Sequence, residues 1–244
     1  MRRGRLALLC VLLVCLAAAL SAAEEALPGT VPWCETQPFG IRHGPREGRR
    51  VAITMDDCNN IQRVRELFEL SRQYDIPVTF FPTGSMLKDQ DAELWRAIAA
   101  SDCEIGSHTM HHRRLTDLPY DAICRDIRGS QERLDEILGY HYGMVSLRPP
   151  YGSFMDKQGR VMPVLKQACL DCGYRHVVLW DLSDTEFSRA RSQMWSGRIL
   201  LFHAYKADVS CLRQLIPWLL QRGYEPVTVR ELLELPEIDT TPMP

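Results

Sequence analysis

The stretch Val51-Ala52-Ile53-Thr54-Met55-Asp56-Asp57 begins a strand–helix alternation that continues to the C-terminal part of the chain. Its apolar and β-branched residues predict a short, partly buried strand, and the apolar period that follows predicts a helix. Six further strands are predicted, at 77–83, 104–108, 146–148, 176–182, 199–203 and 226–229. Because strands that alternate with helices form parallel sheets, the sequence predicts an α/β fold, specifically a deformed and incomplete (β/α) barrel of about seven parallel strands.

The N-terminal residues have the three parts of a secretory signal peptide. Arginines at positions 2, 3 and 5 precede an apolar run from Leu6 to Leu20, and small residues follow before Glu24. We expect cleavage after Ala22 or Ala23, and therefore a secreted or cell-envelope protein. The alternative is an uncleaved membrane anchor, although the apolar run is shorter than the about 20 residues that a spanning helix needs.

The chain is thus predicted to comprise a signal peptide (1–23), an irregular segment rich in proline and glycine (24–49), and one domain (50–244). The full chain contains 29 basic and 31 acidic residues, and loss of the signal peptide removes only basic ones. A mildly acidic exported domain lacks the basic surface of nucleic-acid-binding proteins, so we expect no nucleic-acid partner. A membrane contact is expected only if the N-terminal segment stays uncleaved, and the sequence leaves the oligomeric state open.

The stretch Ser107-His108-Thr109-Met110-His111-His112 contains three of the seven histidines of the chain. His108 and His112 are four residues apart, so on a helical turn or a tight loop their side chains could meet one metal ion. A histidine pair alone is also compatible with a surface or packing role. A metal site therefore needs a third ligand from elsewhere in the chain.

Polar residues cluster at the predicted carboxyl ends of the strands, where a parallel barrel places its reacting groups. They are Asp56, Asp57, His108, His112, Arg148, Asp181, Asp184 and His203. Adjacent strand residues point to opposite faces, so Asp56 and Asp57 are expected to have different tasks. One carboxylate could join the two histidines in a metal site that keeps positions open for water and substrate, and the other could accept a proton from the water. Alternatively, either carboxylate could cap the following helix near Asn60.

Four motifs resemble those of the NodB-homology polysaccharide deacetylases, carbohydrate esterase family 4, and the resemblance extends over residues 50–235. They are Thr54-Met55-Asp56-Asp57, His108-Thr109-Met110-His111-His112, Arg148-Pro149-Pro150-Tyr151-Gly152 and Leu201-Phe202-His203. The resemblance implies a metal-dependent hydrolase that removes N-acetyl groups from a glycan, either peptidoglycan or a chitin-like oligosaccharide, and releases acetate. The alternatives are an O-acetyl esterase of the xylan type on the same scaffold and a catalytically silent glycan-binding module.

The same resemblance implies a role for each motif residue. The implied ligands of Zn²⁺, or of another divalent metal such as Co²⁺, Ni²⁺ or Mn²⁺, are Asp57, His108 and His112. Asp56 would be the general base, Arg148 would orient Asp56 and hold its charge, and His203 would be the general acid. The backbone N–H of Tyr151 would stabilise the oxyanion, and Leu201 would belong to the substrate-binding group.

Two places depart from the family pattern. Cys58 occupies a position where the family often has glycine, close to the implied metal, so it could crowd the site, bind the metal or be oxidised. The usual Asp-x-x-Asp-Trp motif is reduced to Asp181 and Asp184 without the tryptophan. Either of these acids could still orient His203, and we treat both of them and Cys58 as uncertain supporting residues.

Overall fold

The computed structural model describes residues 31–242. One compact unit of the chain begins at Trp33. The predicted signal peptide lies outside the described residues, as do the first residues of the predicted irregular segment. No helix in the described part of the chain combines the length and the apolar character that a membrane crossing requires.

Nine strands and seven α-helices are present in residues 31–242. The strands are β1 (Gly40–Ile41), β2 (Arg50–Asp57), β3 (Thr79–Pro82), β4 (Glu104–Ile105), β5 (Tyr140–Tyr142), β6 (Val177–Val178), β7 (Ile199–His203), β8 (Glu225–Val227) and β9 (Thr240–Pro242). The helices are α1 (Ile61–Tyr74), α2 (Ala92–Ala99), α3 (Tyr120–Leu138), α4 (Pro163–Asp171), α5 (Phe187–Ser192), α6 (Lys206–Gln221) and α7 (Val229–Leu233).

The central sheet is parallel, with the order β4-β3-β2-β7 and with β8 paired to the first residues of β2. Single parallel bridges, Ser107 to Leu147 and Leu182 to Leu200, extend the pairing beyond these strands. Helices follow the strands and cover the sheet, as the strand–helix alternation requires. The described residues therefore form a deformed, incomplete α/β barrel, and this prediction is confirmed.

Strand β2 lies at the centre of the core, because six consecutive residues of it are buried. Helices α1 and α6 pack against one another beside it. Helix α1 buries Val64, Leu67 and Phe68, which lie at the three- and four-residue spacing of one helical face. Each such side chain contributes about 1.5–3 kcal/mol on burial, so the sheet and its helices fix the position of the β2 carboxyl end.

Several predicted strands are shorter than the sequence indicated. The segment 104–108 forms a ladder only at Glu104–Ile105, the segment 176–182 only at Val177–Val178, and the segment 146–148 contributes a single bridge. The buried guanidinium of Arg148 donates to the carbonyl oxygens of Val178 and Leu179, at 3.4 and 3.0 Å. These carbonyls are thereby engaged by a side chain at the point where the predicted strand would have continued.

Candidate active site

The carboxyl end of β2 presents Asp56 and Asp57 next to the start of α1. Asn60 caps α1, because its side-chain oxygen accepts hydrogen bonds from the backbone N–H groups of Gln62 and Arg63. Neither aspartate is therefore needed as the cap, and that alternative is wrong. Asp57 ends the strand with a φ of 63°, and both carboxylates lie near His108, whose Nε2 atom is 3.9 Å from Oδ2 of Asp56 and 3.4 Å from Oδ1 of Asp57.

Asp57, His108 and His112 form one group, in which three ligand atoms lie within 4.8 Å of one another. The Nε2 atom of His112 is 3.1 Å from Oδ1 of Asp57, and the Nε2 atom of His108 is 3.4 Å from the same oxygen. This is the only such group of three or more potential ligands among residues 31–242. It joins the histidine loop after β4 to the end of β2.

The Asp57 Oδ1 atom is buried, and within the described residues no donor meets it with hydrogen-bond geometry. Two ligands of a tetrahedral zinc ion lie about 3.3 Å apart, since each is about 2.0–2.1 Å from the metal. The separations of Asp57 from the two histidines match that spacing. Burial alone would raise the pKa of the Asp57 carboxyl, but the adjacent imidazoles outweigh burial and lower that pKa. The donor set therefore fits a divalent ion such as Zn²⁺.

His108 is held in one orientation and one tautomer. Its Nδ1 atom lies 2.8 Å from the backbone carbonyl oxygen of Arg148, which can only accept a hydrogen bond. Nδ1 must therefore carry the proton, and Nε2 presents its lone pair towards Asp57. Metal-binding histidines generally have such a second partner, which fixes the ring and leaves the other nitrogen free to bind.

Asp56 and Arg148 form a buried ion pair beside this group. Asp56 is 2% exposed and Arg148 is fully buried. The Arg148 Nη1 atom donates to Oδ1 of Asp56 and to the hydroxyl of Thr54, both at 2.6 Å, and the guanidinium lies 4.2 Å above the Phe81 ring. Burial lowers the pKa of Arg148, and the Asp56 carboxylate opposes that shift. One buried cation thus fixes the Asp56 carboxylate close to the metal ligands.

His203 is the last residue of β7, where it pairs in register with Asp56 on β2. Because paired residues of parallel strands point to the same face, the two side chains lie on the same side of the sheet. Leu201 precedes His203 by two residues and shares that face. The backbone N–H of His203 donates to the buried carboxylate of Asp208 at 2.8 Å, and its ring stacks on Tyr205 with centroids 5.7 Å apart. The sequence motifs do not include Asp208. The sequence feature that points to it is an acidic residue in the first turn of α6, the helix after β7.

In the described residues, neither Asp181 nor Asp184 contacts His203, so the prediction that one of them orients His203 has no support. Asp181 accepts from the backbone N–H of Ile199 at 3.1 Å and lies 3.4 Å from the Arg198 guanidinium. Asp184 pairs with Arg189 at 2.9 Å. Both carboxylates have arginine partners nearer in sequence, so neither is directed to His203 in this part of the chain.

Cys58 belongs to the core rather than to the metal site. It is 3% exposed, packs within the hydrophobic cluster around β2, and its thiol lies 3.7 Å from the Met55 carbonyl oxygen. Burial raises the pKa of this thiol well above its ordinary value, and the charges of Asp56 and Asp57 add to the effect. The possibility that Cys58 binds the metal is therefore wrong for this geometry. All seven cysteines of residues 31–242 are free thiols.

The two remaining motif residues, His111 and Tyr151, differ in their relation to the site. His111 points away from it, because its Nδ1 atom lies 2.7 Å from the buried carboxylate of Asp126. Tyr151 is 58% exposed, and its ring meets the His112 ring edge-on with centroids 4.8 Å apart. His111 is thus separated from the site, whereas Tyr151 forms one wall of it.

Backbone strain is concentrated here. In the described chain, seven non-glycine residues have positive φ, and five of them lie at this site: Asp57, Cys58, Thr109, His112 and Tyr151. A non-glycine residue in the left-handed region costs on the order of 1–3 kcal/mol and persists only where its surroundings hold it. Such clustering is typical of a functional site.

Comparisons with known proteins agree with the motifs. The polysaccharide deacetylase family profile matches residues 43–172, which is more than half of the chain. The chain therefore belongs to the polysaccharide deacetylases, the NodB-homology proteins of carbohydrate esterase family 4, whose enzymes are hydrolases acting on carbon–nitrogen bonds. The predicted family and enzyme class are confirmed.

Two curated relatives are peptidoglycan deacetylases. The peptidoglycan-N-acetylmuramic acid deacetylase PdaC of Bacillus subtilis is 28% identical over 76% of this chain, which spans only 39% of that relative's length. A peptidoglycan-N-acetylglucosamine deacetylase of Bacillus cereus is 24% identical over 83% of this chain and 74% of its own. Among solved structures, the pseudoenzyme BA3943 of Bacillus anthracis matches with a TM-score of 0.70 at 19% identity, over 82% of this chain and 70% of its own. That similarity shows the fold alone.

Proposed function

We propose that this protein is a secreted, divalent-metal-dependent deacetylase that hydrolyses N-acetyl groups of a glycan. Peptidoglycan is the first candidate substrate, and a chitin-like oligosaccharide is the second. The observation that carries the proposal is the adjacency of two units, the Asp57–His108–His112 group and the buried Asp56–Arg148 pair. Glycan binding alone requires neither a metal site nor a buried carboxylate–guanidinium pair, whereas amide hydrolysis uses both.

Asp56 acts as the general base in this proposal. It accepts a proton from the attacking water, and the Arg148 guanidinium keeps its carboxylate fixed through a 2.6 Å hydrogen bond. Asp57, His108 and His112 would hold the divalent ion, which would supply Lewis acidity for the ionisation of water near neutral pH and for stabilising charge on the amide oxygen. We assign Zn²⁺ as the first candidate, because two nitrogens and one oxygen are ligands that zinc accepts.

His203 acts as the general acid and donates a proton to the leaving amine nitrogen. The register of β7 with β2 supports this role, since it turns His203 and Asp56 to the same face. The backbone N–H of Tyr151 donates to the oxyanion, and Leu201 adds apolar surface to the substrate pocket. A positioned base and a positioned acid typically contribute 10²–10⁴-fold each.

The site residues belong to a domain that we assign to 50–244. It follows the segment 24–49 and the signal peptide 1–23, whose removal would release the protein to the cell envelope or the medium. Mass spectrometry of the N-terminus of protein recovered outside the cell tests this assignment. Recovery of the chain only in membranes, with residues 1–23 intact, would favour the anchor instead.

Acetate release from three substrates tests the reaction itself. Zinc-loaded protein is incubated with peptidoglycan fragments, chitooligosaccharides and acetylated xylan, and acetate and product masses are measured. We expect loss of acetyl from amino sugars in one of the first two. Release only from xylan would assign an O-acetyl esterase, and binding without release from any substrate would assign a silent glycan-binding module. The pseudoenzyme among the structural neighbours makes this last arm necessary, because fold does not determine activity.

A further inference from the structure

Arg114 lies on the wall of the site without a carboxylate partner of its own. It is exposed, and its guanidinium carbon lies 4.6 Å above the Tyr151 ring. Within residues 31–242 no acidic side chain is within ion-pair distance of it. A single aromatic ring therefore separates an unpaired cation from His112, a ligand of the candidate metal site.

The neighbours of Arg114 hold it in this place. Arg113 donates to the buried Asp126 carboxylate at 3.0 Å, and Leu115 is fully buried. The hydroxyl of Thr116 lies 2.9 Å from that of Ser153, which ties this loop to the turn that carries Tyr151. The loop is thus anchored on both sides of Arg114. The backbone therefore places Arg114 beside Tyr151, and its exposed guanidinium contacts the Tyr151 ring.

We propose that Arg114 forms an anion-binding subsite that holds a carboxylate of the glycan substrate beside the reacting acetyl group. A guanidinium offers a planar pair of N–H donors that matches one carboxylate, and the Tyr151 ring beneath it orients that plane. The Arg114 guanidinium lies 4.6 Å from the Tyr151 ring centroid, which lies 4.8 Å from that of His112. Over this short span, an acidic substituent on the reacting sugar or its neighbour can reach Arg114 while the acetyl group lies at the candidate metal ligands.

This subsite rests on the deacetylase function proposed above and narrows its substrate class. A neutral chitin-like chain offers no carboxylate to Arg114. A peptidoglycan strand offers two sources, namely the lactyl carboxylate of muramic acid where the stem peptide has been removed, and the carboxylates of the stem peptide itself. The subsite predicts that acidic amino-sugar chains are preferred to neutral ones.

The test compares substrates with and without a carboxylate, and two of them differ only in the charge of that group. Four oligosaccharides are used: a neutral chitooligosaccharide, a peptide-free muramic-acid oligomer with a free lactyl carboxylate, the same oligomer with that carboxylate amidated, and the oligomer bearing stem peptide. For Arg114→Gln we expect KM on the carboxylate substrate to rise roughly three- to tenfold, with kcat and the neutral substrate little changed. Arg114→Lys should keep part of the preference, and added salt should weaken it in the parent protein. The two acidic oligomers identify which carboxylate is bound.

The matched control is Arg72→Gln, because Arg72 is also exposed and has no ion pair in the described residues, but lies in the last turn of α1, at the end of that helix away from the site. It should leave the preference unchanged. Equal effects of Arg114→Gln on acidic and neutral substrates, or the same loss of preference in Arg72→Gln, would overturn the subsite. Calorimetric Kd values for the same oligosaccharides give a readout besides activity. If no acetate is released from any substrate, the deacetylase proposal fails, and the change in Kd with Arg114→Gln still decides the subsite.

Discussion

At the scale of single residues, Arg148 connects the two halves of the site. Its guanidinium donates to Asp56, and its backbone carbonyl accepts from His108 Nδ1. One residue therefore positions the proposed base through its side chain and a proposed metal ligand through its main chain. Because Arg148 is fully buried, the Asp56 carboxylate is also its counter-charge, and removing either partner would leave a buried charge unpaired.

The division of labour between Asp56 and the histidines is testable with two variants. Asp56→Asn should keep bound metal but lose about 10²–10⁴-fold in kcat, because it removes the proposed base and leaves the metal ligands in place. His112→Ala should lose both metal and activity. Metal content by mass spectrometry and acetate release are measured on both purified proteins, with circular dichroism as the folding control. Equal metal loss in the two variants would contradict the assigned roles.

The position of Cys58 gives a second prediction at this scale. A thiol that is 3% exposed in the core should not react with iodoacetamide in the native protein, either with or without glycan. Cys172 is the control within the chain, because it is only partly buried and should be labelled first. Peptide mass spectrometry after labelling, native and in denaturant, gives the comparison. If native Cys58 were labelled and substrate blocked that labelling, Cys58 would line the substrate pocket instead of the core.

At the scale of elements, the start of α1 lies directly after the carboxylates of β2. Asn60→Ala removes the cap of α1 and should cost about 1 kcal/mol of unfolding free energy, or a melting temperature lower by roughly 2–4 °C. Asn59→Ala is the matched control, since Asn59 is the exposed neighbour and makes no capping bond in the described structure. Thermal unfolding of both variants checks the difference. Similar losses of unfolding free energy in both variants would show that the capping bonds of Asn60 do not stabilise α1.

The elements also show which parts of the molecule the sequence could predict. Strand β2 and helix α3 were predictable, because a long buried or amphipathic pattern determines each of them locally. The two-residue strand β1 and the C-terminal strand β9 were not, since pairing with distant segments creates them. The contacts at the end of β6 were hidden as well, since the distant side chain of Arg148 donates to the carbonyl oxygens of Val178 and Leu179.

The same limit applies to the candidate site. The motif spacing led to Asp57, His108 and His112, and the structure brings all three together. The motif spacing could not show that Asp181 pairs with Arg198 or that Cys58 faces the core. The direction of a side chain after the end of a strand depends on turns of the backbone. Asp57 and Cys58 make such a turn through their positive φ angles, which neither residue type predicts.

At the scale of the whole molecule, the two ends of the sheet carry different buried acids. The site occupies the carboxyl end, whereas Glu104 lies at the start of β4, at the opposite end. Its carboxylate accepts from the hydroxyls of Ser146 at 2.6 Å and Thr79 at 3.1 Å, and from the backbone N–H of Arg230 at 2.8 Å. The Glu104 side chain thus connects its own strand β4 to three other segments of the fold, which makes four segments in all. Burial raises the pKa of Glu104, although these three donors and the Arg230 charge oppose the shift.

This raised pKa predicts how stability depends on pH. Between the ordinary glutamate value and the folded value, the native state keeps a proton that the unfolded chain has released. The unfolded state then binds fewer protons, so the free energy of unfolding falls as pH rises through that window. Glu104→Gln removes this loss, because its amide can still accept from Arg230 and donate to the Ser146 hydroxyl. Relative to the parent, the variant should therefore gain stability as pH rises from about 4, the ordinary glutamate value, towards the raised pKa of the folded state.

Urea unfolding of the two proteins across that range measures the difference directly, since other titrating groups are common to both and cancel. Glu104→Ala is the companion variant. It leaves Ser146, Thr79 and the Arg230 N–H without their acceptor, so it should be less stable than the parent at every pH. A stability difference between Glu104→Gln and the parent that stays constant with pH would mean that Glu104 titrates alike in the folded and unfolded chains. In that case, the four segments would be joined by hydrogen bonds without a penalty for burying the charge.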